Sequence, residues 1–248
     1  MKVDFCLPIR NEAKVLEANI LKVIAYLEGL NLDYDWRIIG IVNGSNDDSF
    51  NILCKLKENL PNKIDCLNII EPGKGRAIKA CWRQSQADIL VFMDADLAVS
   101  LSGLELLLEP ILHKQADLVI GSRFIKGATA ERSWQRGIIS KSYALFSQFI
   151  LSHNKSDLQC GFKAIRRDAF YKIDKFLEDD FWFFDTELVI LAVLAGLQIK
   201  EIPVVWRENR QGKEKSNVNV LQDSWSFIYK ILSFRKRLMS IKKYLRNA

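Results

Sequence analysis

The chain has 248 residues, 49% hydrophobic and 27% charged, a globular balance that excludes a disordered, collagen-like or disulfide-framed miniprotein. Its charge of +6 is unevenly placed: Lys230, Arg235, Lys236, Arg237, Lys242, Lys243 and Arg246 lie in a tail without acids, and the body before them sums to about −1. A nucleic-acid-coating surface is therefore not expected.

In chain order, the apolar run 3–9, which contains Pro8, predicts a strand. Val15, Leu16, Ile20, Val23, Ile24 and Leu27 have helical spacing and predict a helix over 11–28 with Asn11 as its N-cap. Residues 36–42 predict a second strand, closed by the turn Asn43-Gly44-Ser45-Asn46-Asp47, and a helix follows to about residue 60. A third strand is expected at 64–70. Pro72-Gly73-Lys74-Gly75 then punctuates the chain before a helix over 76–86. The fourth strand, 89–93, ends at Asp94-Ala95-Asp96, and Ser102 with Glu105 suggests a capping box for a helix over 102–112. A fifth strand is expected at 118–120. Beyond it, residues 122–135 read as a mobile loop, 137–151 and 185–195 as helices, 198–205 as a strand, and 207–219 as a polar linker or flap.

Strands alternating with helices imply an α/β fold with a mainly parallel sheet covered by helices on both faces. In such sheets ligands bind beyond the carboxyl ends of the strands. The polar clusters fall there: Arg10-Asn11-Glu12, Asn43 to Asp48, Gly73 to Arg76, and Asp94-Ala95-Asp96. Two carboxylates flanking one residue at a strand end suit a hard divalent cation. A P-loop and a dinucleotide fingerprint are both absent, since neither G-x-x-x-x-G-K-[ST] nor G-x-G-x-x-G occurs. Five scattered cysteines without a C-x-x-C pair read as buried reduced thiols of a cytoplasmic protein, and with two histidines no zinc site is expected. No signal peptide is expected, and no apolar run reaches the ~18–20 residues of a membrane span.

Taken in order, the motifs resemble glycosyltransferases of family 2, with the GT-A fold. The resemblance rests on Leu7-Pro8-Ile9-Arg10-Asn11-Glu12, Asn43-Gly44-Ser45-Asn46-Asp47, Gly73-Lys74-Gly75 and Asp94-Ala95-Asp96-Leu97. It continues through Gly121-Ser122-Arg123-Phe124, Asp157-Leu158-Gln159-Cys160-Gly161-Phe162-Lys163, Phe183-Phe184-Asp185-Thr186-Glu187-Leu188 and Glu201-Ile202-Pro203-Val204. These later motifs are most similar to the polyprenyl-phosphate branch, and closest to dolichyl-phosphate β-glucosyltransferases. The resemblance implies inverting transfer of a hexose from a nucleotide sugar, UDP-glucose before GDP-mannose, to a polyprenyl phosphate with Mg²⁺ or Mn²⁺. Carried over by position, Pro8, Asn11, Glu12, Asn43, Lys74 and Ala95 would line the donor site, and Asp94 and Asp96 would hold the metal. Where the family often has two acids before Gly-Ser, this chain has Val42-Asn43, which leaves the nucleobase open.

A phosphate monoester has its second pKa near about 6 and is already a nucleophile at neutral pH. It needs a cationic cradle more than a base, and Arg123, Arg132 and Arg136 are the candidates. Asp185 and Glu187 stand where related enzymes place a catalytic acidic residue, and Asp185 joins Asp96, Arg123 and Arg136 as a catalytic candidate. The expected division is a GT-A catalytic domain over 1–215 and an amphipathic basic tail over 216–248. The tail reads as an interfacial helix on the cytoplasmic face of a membrane, or as a dock for a membrane-protein partner. The alternatives are a family 2 enzyme with a sugar or protein hydroxyl acceptor, and a catalytically idle nucleotide-sugar-binding scaffold.

Overall fold

The computed structural model describes residues 1–30, 32–131, 134–207 and 220–247, without the side chains of 135, 136, 220–225 and 245–247. The chain alternates strands and helices as far as the fifth strand: β1 (Lys2–Ile9), α1 (Leu16–Gly29), β2 (Asp35–Asn43), α2 (Ser49–Asn59), β3 (Ile64–Ile69), α3 (Lys74–Gln84), β4 (Ile89–Met93), α4 (Leu104–Leu112) and β5 (Leu118–Ser122). Then come β6 (Thr129–Glu131), α5 (Trp134–Leu151), β7 (Phe162–Arg166), α6 (Arg167–Ile173), α7 (Phe184–Leu194), β8 (Ile199–Pro203), β9 (Val205–Arg207) and α8 (Val220–Asn247).

The main sheet has seven strands in the order β3-β2-β1-β4-β7-β5-β8, and every neighbour pair is parallel except those of β7. β1 shows why both faces are covered. Val3, Phe5, Leu7 and Ile9 enter the core beneath α1, while Cys6 joins the core on the other face with Ile78 and Trp82 of α3. A strand buried on both sides must be apolar throughout, and β1 and β4 are nearly so. β7 runs against its neighbours because the chain, after α5, re-enters the sheet from the carboxyl edge through residues 152–161.

Several local expectations change. The first helix starts at Leu16, where the Glu12 carbonyl accepts from the N–H groups of Val15 and Leu16. Asn11 is no N-cap: its φ is 57° and its Oδ1 accepts from Asn46 N–H at 2.9 Å. The capping box at Ser102 does not form, because residues 101–103 make a 3₁₀ turn capped by the Ser100 hydroxyl. The loop 122–135 contributes β6, which pairs with β9 in a two-stranded sheet. Cys6 and Cys81 are paired between β1 and α3, against the reading of all five cysteines as thiols; Cys54, Cys66 and Cys160 are free. Of the expected 207–219 linker, residues 208–219 lie outside the described residues.

The tail helix α8 packs on the domain. Ile231, Phe234 and Ile241 are buried in the core formed by α3, α6 and α7, and the Phe234 and Phe183 rings meet edge to face at 5.7 Å. Arg237 reaches the buried Glu187 carboxylate and the Phe176 carbonyl.

Candidate active site

The carboxyl ends of β1, β2 and β4 and the loop before α3 are knitted into one edge. Asn43, at the end of β2, is buried and donates to the Ile9 carbonyl at 2.9 Å, while its Oδ1 accepts from Gly73 N–H at 3.1 Å. The Asn11 N–H donates to Ser45 Oγ at 3.0 Å, and the Glu12 N–H to Ser49 Oγ at 3.1 Å. Pro8 sits half-buried one residue before the end of β1. Three of the four loops singled out in the sequence are thus held together by their own polar groups, which satisfies backbone that no strand pairs. Val42 lies in the core beside Asn43, so the residue that departs from the family pattern is a packing residue here.

At the centre is a chain of alternating charges. Lys74, the first residue of α3, is buried, with its Nζ 2.9 Å from Asp94 Oδ1 and 3.2 Å from Asp185 Oδ2. Asp185 is fully buried, and its other oxygen is bonded to Lys163 Nζ, which also donates to the Cys160 carbonyl at 2.6 Å. Burial opposes the charge on Lys74, but Asp185 and Asp94 more than offset it and hold its pKa above the ordinary lysine value. Lys74 also lies 5.0 Å from the ring centres of Phe92 and Trp182.

The two carboxylates of Asp94-Ala95-Asp96 have different surroundings. Asp94 is 37% exposed at its side chain, and its N–H is bonded to the Gly161 carbonyl. Asp96 accepts from Ala98 N–H at 3.1 Å, and Ala95 is buried with its carbonyl accepting from Asn19 Nδ2. Gly161 is needed for close approach: a Cβ there would stand 1.9 Å from Asp94 Oδ2. Oxygen donors of this kind fit Mg²⁺ or Mn²⁺, which commonly bind through one or two carboxylates plus substrate phosphates. Among the described residues no group of three or more potential ligand side chains forms a fuller cage.

Beside this turn, Arg123 makes a two-pronged pair with Asp157, Nε to Oδ2 at 2.7 Å and Nη2 to Oδ1 at 2.9 Å. Burial raises the Asp157 carboxyl, but the Arg123 guanidinium outweighs it and leaves it below the ordinary carboxylate value. Burial also pushes the Cys160 thiol up to about 12, so it stays neutral.

The structure therefore gathers Asn43, Lys74, Asp94, Asp96, Arg123 and Asp185 at one sheet edge. Asp185 is buried between the two lysines. Arg123 is paired with Asp157. Arg132 lies outside the described residues, and Arg136 is in the first turn of α5 with its side chain outside the description. Sequence reasoning singled out Gly161 and Lys163 in a family motif without giving them a role, and it missed Trp182. It also missed the segment 178–182, whose carbonyls at Asp180 and Phe181 accept from Arg76 and Gly75.

Comparison with known proteins decides the family. Residues 4–174 match the sequence profile of Glycosyl transferase family 2. The chain belongs to this family. It is 30% identical over 223 residues to glycosyltransferase AglD of Haloferax volcanii, covering 90% of this chain but 35% of that one, so it spans about a third of that relative's length. It is 29% identical to dolichyl-phosphate beta-glucosyltransferase ALG5C of Trichomonas vaginalis, covering 96% of this chain and 73% of the relative. Among solved structures, glucosyl-3-phosphoglycerate synthase of Mycobacterium tuberculosis, determined with Mn²⁺ and UDP, superposes with a TM-score of 0.64 at 19% identity. That comparison covers 94% of this chain and 79% of the other, and it establishes the shared GT-A fold.

Proposed function

We propose that this chain transfers a hexose from a nucleoside-diphosphate sugar to the phosphate of a polyprenyl phosphate, with inversion, and that UDP-glucose is its first donor. The observation that carries the reading is the row Asp94, Lys74, Asp185, Lys163 at the carboxyl edge of the sheet, with the Arg123–Asp157 pair beside it. Relatives named as dolichyl-phosphate glucosyltransferases support the donor and acceptor classes. Asp94 and Asp96 would hold Mg²⁺ or Mn²⁺. The bound ion would neutralise charge growing on the leaving diphosphate.

This chain's own residues supply the rest. Lys74 carries a fixed positive charge into the donor site, and Asp185, itself anchored by Lys163, holds it there, so little reorganisation is needed when the diphosphate charge develops. Asn43 holds the Gly73 turn that starts α3. Arg123, oriented by Asp157, presents cationic surface for the acceptor phosphate, and Arg132 and Arg136 are placed by sequence to add to it. A hydroxyl acceptor would need a general base. The burial of Asp185 favours the phosphate, which needs none. The expected setting is the cytoplasmic face of a membrane, with the tail or a membrane-protein partner presenting the lipid. No helix among the described residues is long and apolar enough to cross a membrane.

The test is transfer of radiolabelled sugar from UDP-glucose or GDP-mannose, with Mn²⁺ and a short-chain polyprenyl phosphate. Label entering the organic phase, and lost in Asp96→Ala, is the expected result. Nucleotide-sugar binding without any transfer would overturn the reading in favour of an idle scaffold.

A further inference from the structure

The tail was expected to lay its apolar stripe on a membrane; Ile231, Phe234 and Ile241 are instead buried in the domain core, while Leu232 and Met239 of the same helix stay exposed. A second helix carries a longer exposed apolar stripe. On α5, Trp134 is 73% exposed, Ile138 56%, Leu145 67% and Phe149 81%. At about 100° per residue these four fall within roughly 60° of arc, over a length of about 22 Å. The other face of α5 is packed: Ala144, Ser147 and Leu151 are buried, and the Tyr143 hydroxyl bonds to Thr186 Oγ1 at 2.5 Å. Thr186 directly follows Asp185 in the candidate site.

Against α5 lies α8. The Tyr143 and Phe227 rings meet at 5.3 Å, and Arg235 donates to the Ile150 carbonyl. α8 exposes Arg235, Lys236, Lys242 and Lys243 and has no acidic residue from Lys230 onward. A second copy of the chain docked on this region would bring two such basic helices together. An anionic lipid surface would neutralise them while taking the apolar stripe.

We propose that α5 is the membrane-docking helix, its Trp134–Phe149 stripe entering the interfacial layer of an anionic leaflet, with the basic residues of α8 holding the adjacent headgroups. The inference rests on and develops the membrane-surface part of the proposed function, and adds the apolar stripe of α5 to the exposed apolar side chains of α8. It gives the packed face of α5 a consequence. With Tyr143 touching Thr186, the candidate site lies about one helix diameter, roughly 10 Å, from the docked surface, within reach of a lipid phosphate at headgroup depth.

The experiment is flotation of the full chain with phosphatidylcholine vesicles, with and without phosphatidylglycerol. Leu145→Asp and Phe149→Asp are compared with Lys236→Glu/Lys243→Glu. The wild type should float only with anionic vesicles. The two α5 variants should bind about tenfold or more weakly, and the α8 variant should lose binding most at low salt. Near-ultraviolet circular dichroism and transfer to a water-soluble short-chain acceptor should be unchanged in the α5 variants, which separates surface loss from unfolding. Three results overturn the proposal: a wild type that does not float, α5 variants that float as well as wild type, or a wild-type dimer that the α5 variants convert to monomer without any vesicle binding. Flotation without transfer would keep this surface and sink the acceptor reading, and transfer without flotation would do the reverse.

Discussion

Replacing Gly161 with alanine perturbs the site through a single methyl group. The new Cβ would stand 1.9 Å from Asp94 Oδ2 and 2.4 Å from Asp94 Cγ. Ordinary contact lies near about 3.5 Å, so the carboxylate must move by roughly 1.5 Å. It can move, because it is the end of a half-exposed side chain, and Gly161 itself has no left-handed φ to strain. The fold should therefore survive with the Asp94–Lys74 pair broken. That pair is partly solvated on the Asp94 side, so its loss should cost about 1 kcal/mol and lower Tm by about 2–4 °C. Catalysis should suffer far more. A misplacement of about 1 Å in a positioning group costs about 100-fold, equivalent to roughly 3 kcal/mol. The assay is kcat/KM for sugar transfer alongside calorimetric titration of Mn²⁺ with the donor present. A Gly161→Ala enzyme within about threefold of wild type, with unchanged metal affinity, would refute the placement of Asp94 at the reacting diphosphate.

Asp185→Asn should remove one member of a fully buried pair and cost about 3–5 kcal/mol, a fall in Tm of roughly 10 °C by thermal denaturation, with the donor KM raised. Unchanged Tm, with loss of the acidic limb of the pH–rate profile, would instead mark Asp185 as a base. Arg123→Gln should raise KM for the polyprenyl phosphate by about tenfold or more while leaving donor binding by calorimetry unaltered. His153 is held neutral by burial, and secondarily by Lys155, so its pKa falls from 6.5 to about 4. Between those values the unfolded chain binds the proton more readily. Stability should therefore drop as pH falls from 6.5 toward 4, and His153→Gln should flatten that part of the Tm–pH curve.

The parallel half of the fold was legible because β1 to β5 alternate with amphipathic helices and their carboxyl ends carry the polar motifs. β7 was not, since Phe162–Arg166 is five residues long and its antiparallel entry depends on where α5 leaves the chain. The charges at the site show the same division. Asp94 and Asp96 could be placed from their strand end alone. The burial of Asp185 had a signal that went unused: α7 is apolar on nearly every face, and such a helix lies inside the domain. Lys163 faces Asp185 across 22 residues, and Gly161 admits Asp94 across 67 residues, pairings that no local spacing reveals. The tail's helical spacing was read correctly, but periodicity does not say what an apolar stripe covers. α8 turned Ile231, Phe234 and Ile241 to the core and left Leu232 and Met239 exposed, while α5 left a longer stripe uncovered.

The central claim is that the acceptor is a phosphate. It is tested most directly by giving the enzyme radiolabelled UDP-glucose, Mn²⁺, and either a short-chain polyprenyl phosphate or the polyprenol of the same length. The account predicts organic-phase label with the phosphate and none with the alcohol, since Asp185 is not free to activate a hydroxyl. Label on the polyprenol, or on a sugar or protein hydroxyl while the phosphate stays unlabelled, would contradict it.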